Sequence, residues 1–159
     1  MNTYTVALFS HREPSNQYMI EEKNKSILRD LITNKEYIEF LVGRDRNFNK
    51  VAAFAVRETV KHYGCGNTSL VLVLSYERAE YRDNMDNYLV YYDEVEICSE
   101  SAYADFNAAI TIRYKTMVDR SDFVPCTVER NRGGAWATVN YAKKQGKHII
   151  NLSEEGGDI

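Results

Sequence analysis

A chain of 159 residues, 44% hydrophobic and 27% charged, is long enough to bury one core and too apolar to be a disordered tail. Its apolar runs, such as Leu70 to Leu74, fall far short of the roughly 18–20 residues that cross a bilayer, and Met1-Asn2-Thr3-Tyr4-Thr5 carries neither the basic segment nor the apolar stretch of a secretory signal, so no membrane partner and a cytoplasmic location are expected. Twenty basic residues against 23 acidic ones give a net charge of −3, without the basic excess of a dedicated nucleic-acid binder, so nucleic acid is not expected as a partner beyond what a local basic pocket allows.

Thr5-Val6-Ala7-Leu8-Phe9 reads as a first buried strand. Pro14-Ser15-Asn16 supplies helix-start chemistry, and Ile20, Ile27, Leu28 and Leu31 follow at helical spacing. Tyr37 to Val42 is a second strand, closed by Gly43. From Asn47, the apolar positions Phe48, Val51, Ala52, Ala55, Val56, Val60 and Tyr63 mark an amphipathic helix that ends at Gly64. Ser69 to Leu74 has no polar alternation, which predicts a central parallel strand covered on both faces. Residues 76–93 carry Tyr76, Tyr81, Tyr88, Tyr91 and Tyr92 and read as a loop with a short helix. Their rings either pack this insert onto the sheet or stack on a ligand base.

Glu94 to Cys98 alternates, as a strand near the edge does. A helix is predicted over Ala102 to Val118, with Phe106, Ile110 and Met117 inward. Phe123 to Val128 is the next strand; Pro125 has no amide hydrogen, which implies a bulge or an edge there. Gly133-Gly134 opens a last helix that ends near Lys143, Lys144 and Gly146, and His148 to Leu152 is the final strand. Cys65, Cys98 and Cys126 share no metal-ligand spacing and read as free thiols, so no metal or other cofactor is expected. The whole predicts one domain over 1–153 and a loose tail over 154–159.

Strand–helix alternation of this kind predicts an α/β fold: a Rossmann-like three-layer sandwich, a mainly parallel sheet with helices on both faces. Ligands of such sheets sit beyond the carboxyl ends of the strands, where the strand order reverses. The candidate site is therefore Ser10-His11-Arg12, Gly43-Arg44-Asp45, Ser75-Tyr76 and Arg130 to Gly134. Within it, Asn131-Arg132-Gly133-Gly134-Ala135-Trp136-Ala137-Thr138 carries the most chemistry. Paired glycines at a strand-to-helix junction let a ligand approach the backbone, and the free amides of a helix start favour an anion. Arg130 and Arg132 offer forked hydrogen bonds to phosphate, and Thr138 a hydroxyl. His11 and Arg12 offer donors to phosphate or ribose oxygens.

Arg113 shares a helix face with Met117 and either reaches into the site or forms a surface ion pair with Asp119 or Asp122. Glu13 and Asp45 are carboxylates at strand ends. Trp136 reads as core or as a subunit contact.

Together these residues resemble the SLOG superfamily, the Rossmann-like group that includes the Lonely Guy cytokinin-activating proteins and the DNA-processing protein DprA. The resemblance covers most of the chain. It rests on Phe9-Ser10-His11-Arg12, the tyrosine-rich segment, Arg113 to Asp122, Gly133-Gly134 through Thr138, Tyr141-Ala142 and Gly146-Lys147. It is nearest to small bacterial and phage members with a Gly-His-Arg-like first loop and no assigned activity, with Ser10 in place of that glycine.

Lonely Guy enzymes cleave the N-glycosidic bond of nucleoside monophosphates. Their pattern places an arginine four residues before a methionine, as Arg113 and Met117 stand here, ahead of a Pro-Gly-Gly-x-Gly-Thr-x-x-Glu loop. In that loop Arg132 takes the proline position, Trp136 a glycine's, Ala137 the threonine's and Asn140 the glutamate's. The last change matters because glycosidic cleavage builds positive charge on the sugar, which a carboxylate stabilises and an amide does not. The resemblance thus implies a nucleotide cradle without its carboxylate.

The expectation is binding of a nucleotide or nucleotide-derived signal, including those of the cyclic ADP-ribose type, as a sensor or a sequestering protein. The ligand-binding set is Ser10, His11, Arg12, Gly43, Arg44, Ser75, Arg113, Arg132, Gly133, Gly134, Ala135, Thr138 and Asn140. The alternative is a nucleotide N-glycosidase or phosphoribohydrolase that uses Arg113 with a displaced carboxylate, Glu13, Asp45 or Glu129. Relatives dimerise through helices beside the site, so the resemblance also implies a homodimer.

Overall fold

The computed structural model describes residues 2–10, 17–43, 47–127 and 133–152. Along the chain lie β1 (Thr3–Ala7), β2 (Phe9–Ser10), α1 (Gln17–Asn34), β3 (Tyr37–Val42), α2 (Asn47–Tyr63), β4 (Thr68–Leu74), α3 (Ala79–Asp83), α4 (Met85–Tyr91), β5 (Glu94–Ile97), α5 (Phe106–Asp119), β6 (Phe123–Thr127), α6 (Gly134–Lys144) and β7 (His148–Asn151). The strands form one sheet in the order β7-β6-β1/β2-β3-β4-β5, and every pairing is parallel. This is the predicted Rossmann-like α/β architecture.

Side-chain alternation along the central strands builds the two helical layers. Ile38, Phe40, Leu70, Leu72 and Leu74 face one side, where they meet Leu28 and Ile32 of α1, Ala52, Ala53 and Val56 of α2, and Tyr81 and Tyr88 of α3 and α4. Leu41, Val71 and Val73 face the other side, with Met117 and Val118 of α5 and Val139 and Ala142 of α6. Burial on both faces is why β4 shows no polar alternation. No described helix is long and apolar enough to cross a membrane.

The chain runs outward from β1 through β3 and β4 to β5. It then returns along α5 to place β6 on the far side of β1, and β7 beyond it. The strand order therefore reverses between β1/β2 and β6.

The amino ends of the strands are tied by side chains that extend the ladders. Asp122 accepts from the Thr5 amide at 2.8 Å and returns its own amide to the Thr5 carbonyl at 2.7 Å. Asp93 makes the same pair with Leu70, at 2.7 and 2.9 Å. Asn67 donates to the carbonyls of Ile32 and Lys35.

Four expectations are corrected. The first strand breaks at Leu8, whose amide donates to Leu41 of β3, so β2 is a separate two-residue pairing with β6. Pro125 marks neither an edge nor a bulge. It lies inside β6 between two partners, the register from Val6↔Phe123 to Phe9↔Cys126 is unshifted, and the missing amide falls beside the break at Leu8. Helix α5 starts at Phe106, because Asp105 caps it by accepting from the Ala108 amide at 3.3 Å while residues 99–104 turn. Phe106 is exposed rather than inward. The insert holds two short helices that meet at Asn84. The predicted tail over 154–159 lies outside the described residues.

Candidate functional site

The carboxyl edge of the sheet is where the fold leaves polar groups to be used. Ser10 ends β2 directly opposite Thr127, which ends β6. The segment that begins His11-Arg12 and the segment that leads to Arg132 therefore leave from neighbouring strands, at the point where the strand order reverses. His11, Arg12, Glu13, Arg44, Asp45, Glu129, Arg130 and Arg132 lie outside the described residues, as do the side chains of Ser10 and Ala135 and the burial of Gly134.

Two hydroxyls at this edge have no partner. Ser75, which follows β4, is 1% exposed, and Thr127 is fully buried; neither side-chain oxygen makes a hydrogen bond. Leaving a buried hydroxyl unpaired costs about 1–3 kcal/mol. The amino edge spends its side chains on ladder hydrogen bonds, while here polar atoms are left over. The Ser75 carbonyl is satisfied, by the Ser101 hydroxyl at 2.6 Å.

Arg113 is the largest fully buried side chain among the described residues. Its Nη1 lies 3.5 Å from the Val73 carbonyl, and its guanidinium sits 4.8 Å from the Tyr114 ring centre. A Cβ added at Gly43, just past β3, would stand 3.1–3.3 Å from that guanidinium, which would have to give by a few tenths of an ångström. The surface ion pair is excluded. Asp119 accepts from the Tyr141 hydroxyl at 2.6 Å and Asp122 is bonded to Thr5. Arg113 thus turns inward beneath the ends of β3 and β4 rather than out to the surface.

Gly133 caps α6 with φ 93° and ψ 176°, a backbone region essentially confined to glycine. A Cβ there would meet no atom of the described residues within 4 Å. First-turn amides of any helix lack an intrahelical acceptor, and no side-chain cap bond is made at Gly133. Thr138 is buried one turn on, and Asn140 is half-buried about 9 Å along the axis from Gly134. Asn140 is therefore set back from the helix head. Trp136 is 39% exposed and not core.

The sequence reading missed a hollow of about 570 Å³ at the ends of β4 and β5, lined by Tyr76, Glu77, Ile97, Ala102, Tyr103, Ala104 and Phe106. Tyr76 meets Phe106 edge-on, with ring centres 6.4 Å apart, and the Arg78 guanidinium lies 5.6 Å from the Tyr76 ring centre. The remaining tyrosines of the insert pack it: Tyr81, Tyr88 and Tyr92 are in the core and Tyr91 lies against it. Helical periodicity hid this hollow, since Phe106 shares the stripe of the buried Ala109, Arg113 and Met117 while the first turn of α5 overhangs the sheet.

Elsewhere, the carboxylates of Glu39, Glu94 and Glu96 lie within 4.8 Å of one another. Arg120 bonds Glu39 and Glu96, and those bonds hold its guanidinium protonated above its usual range. The group locks β3, β5 and the end of α5 together. The Glu100 carboxyl, beyond β5, is held below its usual range first by its own backbone amide and then by the Cys98 thiol. None of the three cysteines is in a disulfide; Cys65 is exposed and Cys98 and Cys126 are buried.

No protein-family model matches the sequence, and no curated protein matches it. Solved structures do. The chain is similar to DNA processing protein A of Helicobacter pylori, whose structure is described for its single-stranded DNA binding mode, with a TM-score of 0.62 and 13% identity over 92% of this chain. It is also similar to DprA of Streptococcus pneumoniae, with a TM-score of 0.65 and 13% identity over 93% of this chain. Its fold is the DprA-type Rossmann-like fold.

The chain spans 63% and 50% of the length of those two proteins. The likeness corrects one expectation. Net charge argued against a nucleic-acid partner, yet the Helicobacter protein that shares this fold is described for its single-stranded DNA binding mode. Overall charge does not report the charge of one edge, so nucleic acid returns to the set of partners to be tested.

Proposed function

We propose that the carboxyl edge of the sheet holds a nucleotide-type ligand by its phosphate, with the head of α6 as the anion seat. The observation that carries this reading is Gly133, whose positive-φ backbone heads α6 with no described residue packed against the position of a Cβ. Backbone amides and the helix dipole at such a head favour negative charge. Buried Arg113 adds a fixed positive charge beneath the neighbouring strand ends, and Arg12, His11 and Arg132 belong to segments that leave the switch point. Binding without turnover is the reading, because Asn140 has no carboxylate to stabilise a sugar cation. A sensor or a sequestering protein for a nucleotide-derived signal, including the cyclic ADP-ribose type, fits this chemistry. A homodimer through helices beside the site belongs to the same reading and is read out by native mass.

A second reading has its own support. Exposed aromatic rings line the same edge, and the Helicobacter protein of similar fold is described for its single-stranded DNA binding mode. A thermal-shift panel of nucleotides and short single strands tests both. A ligand at 100 times its Kd stabilises by about 2.7 kcal/mol, a rise of roughly 5–11 °C for a chain of this size. Arg132→Ala removes that rise and leaves the unliganded melting point nearly unchanged. If no phosphate-bearing compound shifts the melting point, the proposal is wrong. Free base released during incubation would move the assignment to an N-glycosidase.

A further inference from the structure

The hollow at the ends of β4 and β5 has a feature that core packing does not explain. Tyr103 is fully exposed and Phe106 is 57% exposed, although apolar rings are normally driven inward. Phe106 lies on the same helical stripe as the buried Ala109, Arg113 and Met117. Further along α5 that stripe covers the sheet, whereas its first turn overhangs the carboxyl edge, where Phe106 meets Tyr76 and open space. Three rings on one polar-rimmed hollow make a surface that accepts a flat aromatic group.

Position decides what carries that group. From β6 the sheet order passes β1/β2 and β3 to β4, which is three strand spacings, and β5 is a fourth. At about 4.7–4.9 Å each, the hollow lies roughly 14–20 Å across the sheet from the β6 end. Within one mononucleotide a single ribose separates base from phosphate, too short a link to fill both places.

We propose that the hollow framed by Tyr76, Tyr103 and Phe106 is a stacking subsite for a nucleobase, and that this base belongs to a different nucleotide unit from the one whose phosphate sits at Gly133. The ligand is then a phosphate-linked chain of at least two nucleosides. This rests on the phosphate reading of the α6 head. Its two sources, a free dinucleotide and a single-stranded oligonucleotide, share that chemistry.

Trp136, the only tryptophan, stands just inside α6 and 39% exposed, so its fluorescence reports the phosphate end. The full chain is titrated with inorganic phosphate, AMP, NAD and a single-stranded tetranucleotide. Two-unit ligands should bind more tightly than AMP. Tyr103→Ala and Phe106→Ala, both at exposed positions and checked for folding by circular dichroism, should remove that gain. The expected loss is about 5- to 150-fold, the range of one base–aromatic stack, with AMP and phosphate binding unchanged. A gain seen with NAD alone identifies a dinucleotide, and one seen only with the tetranucleotide identifies a single strand. If AMP binds as tightly as the longer ligands, or both variants bind them normally, the subsite is refuted while the phosphate site stands. If neither phosphate nor any nucleotide binds, the phosphate reading fails and the subsite fails with it.

Discussion

Gly133→Ala isolates the backbone geometry on which the α6 head depends. At φ 93° and ψ 176° an alanine is held where L-residues are strongly disfavoured, at a cost of about 1–3 kcal/mol. No clash with the described residues adds to this, because the new Cβ meets none of their heavy atoms within 4 Å. Alanine also narrows the unfolded ensemble, which offsets about 0.4–1 kcal/mol. At mid-range the net loss is about 1.3 kcal/mol, a fall in Tm of roughly 3–5 °C for a chain of this length.

Differential scanning calorimetry of the unliganded protein reads it. Gly146→Ala, at φ 73° after the far end of α6 and equally free of contacts, is the control for a left-handed glycine remote from the head. Both variants should melt lower, and only Gly133→Ala should also lose the nucleotide-induced rise. A Gly133→Ala protein at least as stable as the wild type would refute the backbone assignment. One that is destabilised but still responds fully to nucleotide would refute the role of the head.

Three further predictions concern the scaffold. Asp122→Ala and Asp93→Ala each remove a charged acceptor from a strand amide and should lower stability by about 1.5–3 kcal/mol in urea unfolding, without loss of the sheet signal. Gly43→Val pushes into the Arg113 guanidinium and should cost about 1–3 kcal/mol of overpacking, measured in the same way. Tyr141 is held neutral above its usual range of 10.0, first by donating to Asp119, then by burial, then by the charge of Asp119. A raised pKa favours the protonated fold, so this contribution is complete below pH 10 and is lost as pH rises through the folded-state value. Ultraviolet titration of wild type and Tyr141→Phe should show the late-ionising hydroxyl disappear in the variant.

The sheet was legible where one physical signal dominated. The unbroken apolar run of β4, the 3.6-residue stripe of α2 and the doubled glycine ahead of α6 each placed an element to within a residue or two. Failures came where two signals competed. Pro125 looked like an edge marker, but a break in the neighbouring strand absorbed its missing amide. Phe106 looked inward by periodicity, and periodicity carries no information on where a helix overhangs its sheet. Arg113 had two plausible partners in sequence, and only three dimensions could choose the burial beneath Gly43. Summed charge could not report the chemistry of one edge.

Isothermal titration calorimetry with AMP and with adenosine tests the central claim most directly, because the two differ only in the phosphate. If the head of α6 is an anion seat, AMP binds at least tenfold more tightly than adenosine, and added salt weakens AMP alone. Equal affinities, or adenosine binding the more tightly, would contradict it.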